Sequence, residues 1–343
     1  MHKQLEHGGN LNEAVVRFSI PRNAWLDLST GINPQSYPIT ALPADIWHRL
    51  PEHDPAMERA AQAYYDAPHL LAVAGSQAVI QVLPRLRLPA RVVIAAPVYA
   101  EHAYRWRQAG HAVTEIAYAD LESAVDTCDV MVVCNPNNPT GERISPSTLI
   151  QWSERLAARQ GWLVVDEAFA DTTSAESVAS FAQRPGLIVL RSMGKFFGLA
   201  GIRLGFVIAA NSLLEQIAEV IGPWGVSTAA QKIGCEALMD REWQNQMRQT
   251  LHEKGQRLHQ MLREYGIYAS GTPLYQWWPE QQSELFATHM AHQAIWVRRF
   301  SSGAHGIRLG LPYHEHDWQK LQQALASWRQ IRNNTEQNTG KIE

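Results

Sequence analysis

Short apolar runs alternate with helix-like stretches through the middle of the chain. The runs are rich in Val, Ile and Leu and occupy residues 91–95, 130–133, 162–165, 187–190 and 203–208. Continuous apolar runs of this length are typical of strands buried on both faces of a sheet. Between two of them, Ser145-Pro146 supplies an N-cap and a proline at the first helical position, which predicts a helix to about residue 160. This alternation predicts an α/β domain with a mainly parallel sheet.

The pattern changes after about residue 210. Apolar side chains recur at helical spacing over residues 240–265, and Gly266 ends that pattern. Strand-like segments and a closing helix follow, at residues 275–278, 294–300, 306–311 and 314–331. These elements predict a smaller α+β domain.

The chain is long enough for two hydrophobic cores, because it has 343 residues of which 45% are hydrophobic. The expected parts are an N-terminal arm (1–40), a large α/β domain (41–210), a small α+β domain (211–332) and a tail (333–343). The tail is polar, and we expect it to fray because nothing in its sequence ties it down.

Charge and composition exclude several classes of protein. Lys+Arg is 30 and Asp+Glu is 33, so there is no basic excess for binding nucleic acid or a membrane surface. No apolar run approaches about 18 residues, and the N-terminus lacks the apolar core of a secretory signal. The three cysteines show no C-x-x-C spacing, and the 14 histidines show no metal-binding motif. We therefore expect a cytoplasmic protein without a metal.

Unusual sequences follow the predicted strands, at the sheet edge where open α/β folds bind ligands. Gly75-Ser76-Gln77 begins a helix-like stretch, so its free N–H groups and hydroxyl suit a phosphate; an ordinary N-cap is the alternative. Residues 135–141 contain two Asn-Pro pairs and a glycine, which predict a rigid turn. The side-chain amides of its asparagines either stabilise only the turn or also form hydrogen bonds with a ligand.

Two charged residues in these loops require an explanation. Asp166 ends a buried run, where a protonated ring nitrogen of a ligand, a helix cap or a salt bridge would satisfy its carboxylate. Lys195 lies among small and apolar residues, which favour a neutral, nucleophilic amine over a solvated surface lysine. Ser192 and Arg203 flank Lys195 and can hold a dianionic phosphate.

The order of these loops resembles the fold-type-I, pyridoxal-phosphate-dependent aminotransferase superfamily over about residues 7–330. The resemblance implies that Lys195 carries pyridoxal 5'-phosphate and that Asp166 pairs with its ring nitrogen. It implies that Asn138 donates to the ring oxygen and that Tyr99 stacks on the ring. The implied phosphate-binding residues are Gly75, Ser76, Gln77, Ser192 and Arg203. The superfamily also implies a homodimer, and a substrate carboxylate held by Arg308, whose guanidinium suits bidentate pairing.

Two positions depart from the superfamily pattern. Phe169 stands where many members have a tyrosine that also reaches the ring oxygen, which leaves that contact to Asn138. Leu50 stands where many members have a tyrosine that reaches the cofactor phosphate of the neighbouring subunit.

Four further motifs are Glu6-His7-Gly8-Gly9-Asn10, Leu26-Asp-Leu-Ser-Thr-Gly-Ile-Asn-Pro34, Arg49-Leu-Pro-Glu52 and Val297-Arg-Arg-Phe300. They resemble one branch of the superfamily, the threonine-phosphate decarboxylases of cobalamin biosynthesis. The branch implies decarboxylation of a small phosphorylated amino acid, O-phospho-L-threonine, to (R)-1-amino-2-propanol O-2-phosphate. The implied substrate-binding residues are His7, Gly8, Gly9, Asn10, Gly31, Ile32, Asn138, Arg298 and Arg308. Because side chains alternate along a strand, only one of Arg298 and Arg299 should face the substrate, and Arg298 is favoured.

Two alternatives stay open. One is an aminotransferase acting on histidinol phosphate or a related compound, and the other is a cofactor-binding regulator without catalysis. The presence of Lys195 argues against the regulator. Decarboxylase and aminotransferase differ in which bond at the substrate Cα stands perpendicular to the cofactor ring. The placement of the substrate anions therefore decides between them.

Overall fold

The computed structural model describes residues 7–301 and 303–339. The helices are α1 (Leu11–Phe18), α2 (Pro55–Tyr65), α3 (Ser76–Val82), α4 (Glu101–Gln108), α5 (Leu121–Ala124), α6 (Pro146–Ala157), α7 (Asn211–Ile221), α8 (Thr228–Met239), α9 (Arg241–Glu264), α10 (Ser283–His292) and α11 (Glu315–Thr339). The strands are β1 (Leu26–Asp27), β2 (Leu70–Val73), β3 (Arg91–Ala96), β4 (Ala112–Ala117), β5 (Val130–Cys134), β6 (Trp162–Asp166), β7 (Leu187–Ser192), β8 (Gly205–Ile208), β9 (Ser270–Thr272), β10 (Tyr275–Pro279), β11 (Ile295–Trp296), β12 (Arg298–Phe300) and β13 (Gly306–Gly310).

The chain divides into two compact units. The large unit is Gln35–Gln249, and the small unit joins Met1–Pro34 to Thr250–Glu343. The division differs from the predicted boundaries at residues 40 and 210 because α7 and α8 pack against α2, α3 and β2 of the large unit. The N-terminal segment joins the small unit because β1 pairs with β11.

The large unit is built on a seven-stranded sheet in the order β2-β8-β7-β6-β5-β3-β4. Its strands are parallel except β8, which runs antiparallel to both of its neighbours. The predicted mainly parallel sheet is confirmed, and each of the five apolar runs contains a strand. The last strand starts at Gly205 rather than at residue 203, because Arg203 adopts a left-handed conformation with φ 56°.

Two strands of this sheet were missed by sequence analysis. Strand β4 lies at the sheet edge and is mostly exposed, so its sequence lacks a continuous apolar run. Strand β2 lies at the other edge and is only four residues long. The strands between them are buried, and their side chains pack with Val79, Trp106 and Ile217 of the surrounding helices in one core.

The parallel strands place three chemically important residues at one edge of the sheet. Cys134 ends β5, Asp166 ends β6 and Ser192 ends β7. Cys134 and Asp166 are directly paired in the sheet register. Helix α6 begins as predicted, with Ser145 accepting a hydrogen bond from the Thr148 amide.

The small unit contains a four-stranded antiparallel sheet, β12-β13-β10-β9, and the parallel pair β1-β11. The strand predicted over 294–300 is therefore two strands in two sheets.

The prediction that residues 333–343 fray was wrong for residues 333–339, because α11 continues to Thr339. No proline or glycine interrupts the sequence between Ile331 and Gly340, so a helix can continue. Residues 340–343 and 1–6 lie outside the described residues.

Within the described part of the chain, no helix combines the length and the apolar character needed to cross a membrane.

Candidate active site

Asp166 lies at the carboxyl end of β6 with only 4% of its surface exposed. Its Oδ2 lies 2.9 Å from Nε2 of His102, and its Oδ1 accepts from the Ala168 amide at 3.1 Å. His102 is itself buried, on α4. Two fixed donors thus hold the carboxylate in one orientation, so it can face a cationic nitrogen without rearranging.

Sequence analysis missed His102, because a single histidine on a short helix carries no motif. Cys134 completes the group, since the ligand atoms of His102, Cys134 and Asp166 all lie within 4.8 Å of one another. Burial and the neighbouring Asp166 raise the pKa of the Cys134 thiol well above its usual range, so the thiol stays protonated. Such a set of atoms has the spacing of metal ligands, although the His102–Asp166 hydrogen bond already explains its arrangement.

A cradle for an anion lies where the loop after β2 meets the loop before β8. Gly75 has φ +77°, and a Cβ atom there would lie 2.5 Å from Nη2 of Arg203. Only glycine therefore lets the Arg203 guanidinium approach this turn so closely. The Ser192 hydroxyl accepts from the Gly194 amide at 3.3 Å, which holds it in the adjoining loop.

Tyr99 and Gln77 are linked beside this cradle. The Tyr99 hydroxyl donates to Oε1 of Gln77 at 3.2 Å, and Nε2 of Gln77 donates to Glu101 at 2.9 Å. The Tyr99 ring also lies edge-on to His102, with centroids 6.1 Å apart. Burial, with Glu101 and Asp166 nearby, raises the pKa of Tyr99 to about 12, so the phenol stays neutral. The predicted stacking ring is thus neutral and held in place by its own hydroxyl.

Lys195 follows β7 and is half-buried. Its Nζ lies 5.5 Å from the centroid of the Phe169 ring, which is 4% exposed. Phe169, the departure noted in the sequence, therefore gives the lysine an apolar wall. Asn138 is half-buried in the neighbouring loop, while Asn137 beside it is buried and donates to the Pro97 carbonyl at 2.9 Å.

A buried ion network joins the strand ends that carry Asp166 and Ser192. Arg191 pairs with Glu167 at 2.5 Å and also with Asp171, and all three residues are almost fully buried. Although burial opposes the charged form, the two carboxylates raise the pKa of Arg191. Burial raises the pKa of Glu167, while Arg191 and Ser177 oppose that shift. Removing one partner would leave a buried charge uncompensated, so the network fixes the spacing of β6 and β7.

Arg308 lies on β13 of the small unit and is 6% exposed. Its Nη2 donates to the Ser29 carbonyl at 3.0 Å, and its guanidinium lies 5.1 Å from the centre of the Tyr275 ring. Burial lowers the pKa of Arg308 to about 10, so it keeps its charge at neutral pH. A buried, charged guanidinium suits a carboxylate ligand, as the resemblance implies.

Arg298 and Arg299 lie on opposite faces of the small sheet. Arg298 is directly paired with Arg308 in the register, so the two arginines share a face. Arg299 instead pairs with Glu284 of α10 at 3.1 Å. This arrangement agrees with the choice of Arg298, whose contact with a substrate stays a prediction.

The N-terminal residues predicted to bind substrate also belong to the small unit. The Gly9 amide donates to the Ser29 hydroxyl at 2.8 Å. Nδ2 of the Asn10 side chain donates to Oε2 of Glu13 at 3.3 Å, and Asn10 immediately precedes α1. His7 is exposed, Gly31 is buried and Ile32 is half-buried.

The residues of the large unit fit pyridoxal 5'-phosphate. The Gly75 turn, the Ser192 hydroxyl and the Arg203 guanidinium offer the donors and the positive charge that a phosphate needs. Asp166 offers a buried carboxylate for a ring nitrogen, and Lys195 offers an amine beside an apolar wall. The donor set therefore matches both ends of the cofactor.

Comparison with known proteins places this geometry in a family. Residues 43–327 match the family model of aminotransferase class I and II. A threonine-phosphate decarboxylase from Pseudomonas aeruginosa is 48% identical over 95% of this chain and 98% of its own length. A second, from Sinorhizobium sp., is 39% identical over 95% of this chain and 99% of its own length.

Solved structures agree on the fold. L-threonine-O-3-phosphate decarboxylase from Porphyromonas gingivalis superposes with a TM-score of 0.73, at 18% identity over 88% of this chain and 98% of the other. The cofactor of this family is pyridoxal 5'-phosphate, which the donor set of the large unit fits. The chain belongs to the aminotransferase class I and II family of fold-type-I pyridoxal-phosphate enzymes, and within it to the threonine-phosphate decarboxylases.

Proposed function

We propose that the protein decarboxylates O-phospho-L-threonine to (R)-1-amino-2-propanol O-2-phosphate and CO2, in the biosynthesis of cobalamin. The observation that carries the proposal is the 48% identity to a threonine-phosphate decarboxylase over almost the whole of both chains. The charged groups agree with a doubly anionic substrate, since Arg308 and Arg298 share one face of the small sheet.

We assign the residues of the site the following roles. Pyridoxal phosphate, when bound, supplies an electron sink for the electron pair released at the substrate Cα. Asp166, held by His102, keeps a proton at the cofactor ring nitrogen. Lys195 carries the cofactor, and its protonated amine can return a proton to Cα after CO2 has left. Arg308 holds the substrate carboxylate, and its placement decides which Cα bond is broken.

We also propose a cytoplasmic homodimer. Large apolar side chains of the large unit are strongly exposed, among them Ile39, Trp47, Leu50, Trp224 and Met239. The proposed interface covers these side chains, because large exposed apolar surfaces mark sites of protein interaction. The three described cysteines are unpaired, as expected in a reducing compartment. Light scattering of the purified protein should give twice the chain mass, and Trp224→Glu should shift it toward the monomer.

A comparison of substrates tests the proposed activity. The purified enzyme should release CO2 from O-phospho-L-threonine without any 2-oxo acid. It should not convert histidinol phosphate when 2-oxoglutarate is supplied. The opposite pattern, product formation that depends on 2-oxoglutarate, would establish the aminotransferase alternative.

A further inference from the structure

Ser29 connects the N-terminal glycines to the buried Arg308. Its side chain is fully buried, and its hydroxyl accepts from the Gly9 amide at 2.8 Å. Its carbonyl oxygen accepts from Nη2 of Arg308 at 3.0 Å. One residue thus contacts two groups that the resemblance assigns to substrate binding, although Ser29 itself carries no predicted role.

Asp27 fixes the orientation of Ser29. Its Oδ1 accepts from the Ser29 hydroxyl at 2.6 Å and from the Ser29 amide at 2.9 Å. Because that hydroxyl donates to Asp27, its lone pairs are left to accept from Gly9. The Asp27 carboxylate therefore determines the direction in which the Ser29 hydroxyl accepts a hydrogen bond from the Gly9 amide of the N-terminal loop.

The surrounding backbone leaves this segment little freedom. The Leu28 amide donates to the Trp296 carbonyl at 2.8 Å, and the Gly310 amide donates to the Leu28 carbonyl at 2.8 Å. The segment is therefore held between β11 and the end of β13, the strand that carries Arg308. If Ser29 moves, the residues that are hydrogen-bonded to it must move with it, because this segment is held by backbone hydrogen bonds.

Gly8 is packed against the same carbonyl oxygen. A Cβ atom on Gly8 would collide with the Ser29 oxygen that accepts from Arg308. The loop therefore needs glycine here, because the atom that a side chain would meet first is the carbonyl oxygen that accepts from Arg308.

We propose that Ser29, oriented by Asp27, is a positioning residue that couples the placement of the Gly8-Gly9 loop to the orientation of the Arg308 guanidinium. The inference rests on the proposed function, in which Arg308 holds the substrate carboxylate. When the loop is in place, the Ser29 carbonyl fixes one nitrogen of Arg308 and thereby the direction in which the guanidinium meets the substrate carboxylate. The coupling thereby determines whether the carboxylate or the hydrogen at Cα is lost.

Two variants of the holoenzyme test the coupling without substrate. Ser29→Ala removes the acceptor for Gly9 but keeps the carbonyl, and Asp27→Ala removes the group that orients the hydroxyl. Hydrogen exchange in the peptide that contains Gly9 should become roughly tenfold faster in both, as expected for the loss of one hydrogen bond. Arg308→Lys should also speed this exchange, because coupling between two sites is reciprocal.

A kinetic measurement then separates positioning from general loosening. Ser29→Ala should raise KM for O-phospho-L-threonine roughly tenfold and raise KI for 1-amino-2-propanol O-2-phosphate, which lacks the carboxylate, much less. With substrate deuterated at Cα, the variant should also lose part of the label that the wild type retains. Ser153→Ala is the matched control, because Ser153 is also buried but its hydroxyl donates to the Ile150 carbonyl within α6, in the large unit.

The outcomes separate the two proposals. Unchanged exchange at Gly9 in both Ser29→Ala and Asp27→Ala, or equal changes in KM and KI, would overturn the coupling. A wild-type enzyme that releases no CO2 from O-phospho-L-threonine would instead refute the proposed function. The exchange measurements, including Arg308→Lys, would still decide whether Ser29 couples the loop to the arginine.

Discussion

The two units hold their functional groups in different ways. In the large unit, buried side chains position one another, as His102 does for Asp166 and as Glu167 does for Arg191. In the small unit, Ser29 contacts two of the predicted substrate groups, Arg308 through its carbonyl oxygen and Gly9 through its hydroxyl. Buried charged side chains therefore position one another in the large unit, whereas in the small unit one serine links two of the predicted substrate groups. Substitutions in the large unit should therefore change cofactor chemistry, and substitutions in the small unit should change the placement of the substrate.

The largest effect should come from Lys195→Ala. Loss of the amine removes both the attachment point of the cofactor and a proton donor, and the second loss alone is worth about 10²–10⁴ in rate. Turnover should become undetectable above background. In the wild type, borohydride reduction should remove the visible absorption of the protein and attach the reduced cofactor covalently to Lys195. A protease digest should then recover the cofactor on the Lys195 peptide. Recovery of the cofactor on another lysine would refute the assignment.

Asp166→Asn should be the next most damaging change. The amide cannot supply the negative charge that keeps the ring nitrogen protonated, so kcat should fall by about 10²–10³. Cofactor binding should persist, since the phosphate cradle is unchanged, and an absorbance titration would show it. Turnover close to the wild-type value would contradict this role.

Arg308→Lys tests the small unit in the same way. A lysine keeps the charge but not the planar fork, so KM for the phosphorylated substrate should rise about 10- to 100-fold. The visible spectrum of the holoenzyme should stay the same, because the cofactor groups lie in the large unit. An altered spectrum with an unchanged KM would show that Arg308 acts on the cofactor rather than on the substrate, and would contradict this prediction.

Deletion of residues 1–10 should lower kcat/KM for O-phospho-L-threonine by roughly tenfold, the cost of losing a hydrogen-bonded contact to the substrate. Thermal unfolding and cofactor content should stay close to those of the full chain, because no described residue of this segment belongs to the core of the large unit. Unchanged kcat/KM would show that the segment is only an arm.

The smallest effect should come from Phe169→Tyr. The new hydroxyl would restore the superfamily's second contact to the cofactor ring oxygen, so the visible absorption maximum should shift. Turnover should change by less than about tenfold, the range of one neutral hydrogen bond. An unshifted spectrum would show that the hydroxyl does not reach the ring.

The same contrast explains what the sequence could predict. Buried parallel strands leave continuous apolar runs, so β3, β5, β6 and β7 were found, whereas the edge strand β4 lacked that pattern. The loops that follow β5, β6 and β7 carry chemically unusual residues, which is why Asp166 and Lys195 could be singled out.

Other features leave no such trace. His102 is one histidine on a helix, and its role appears only when α4 is brought beside β6. Ser29 contacts Arg308 through its backbone carbonyl, which every residue possesses. The continuation of α11 to Thr339 was missed because polar composition suggests fraying, yet the segment contains no helix breaker.

The central claim is that the bond from Cα to the carboxylate is broken while the Cα–H bond survives. The most direct measurement is to convert O-phospho-L-threonine deuterated at Cα in ordinary water and to weigh the products by mass spectrometry. We expect equal amounts of CO2 and 1-amino-2-propanol O-2-phosphate, with the deuterium retained in the amine and no requirement for 2-oxoglutarate. Loss of the deuterium to solvent, with product formed only when 2-oxoglutarate is present, would contradict the account.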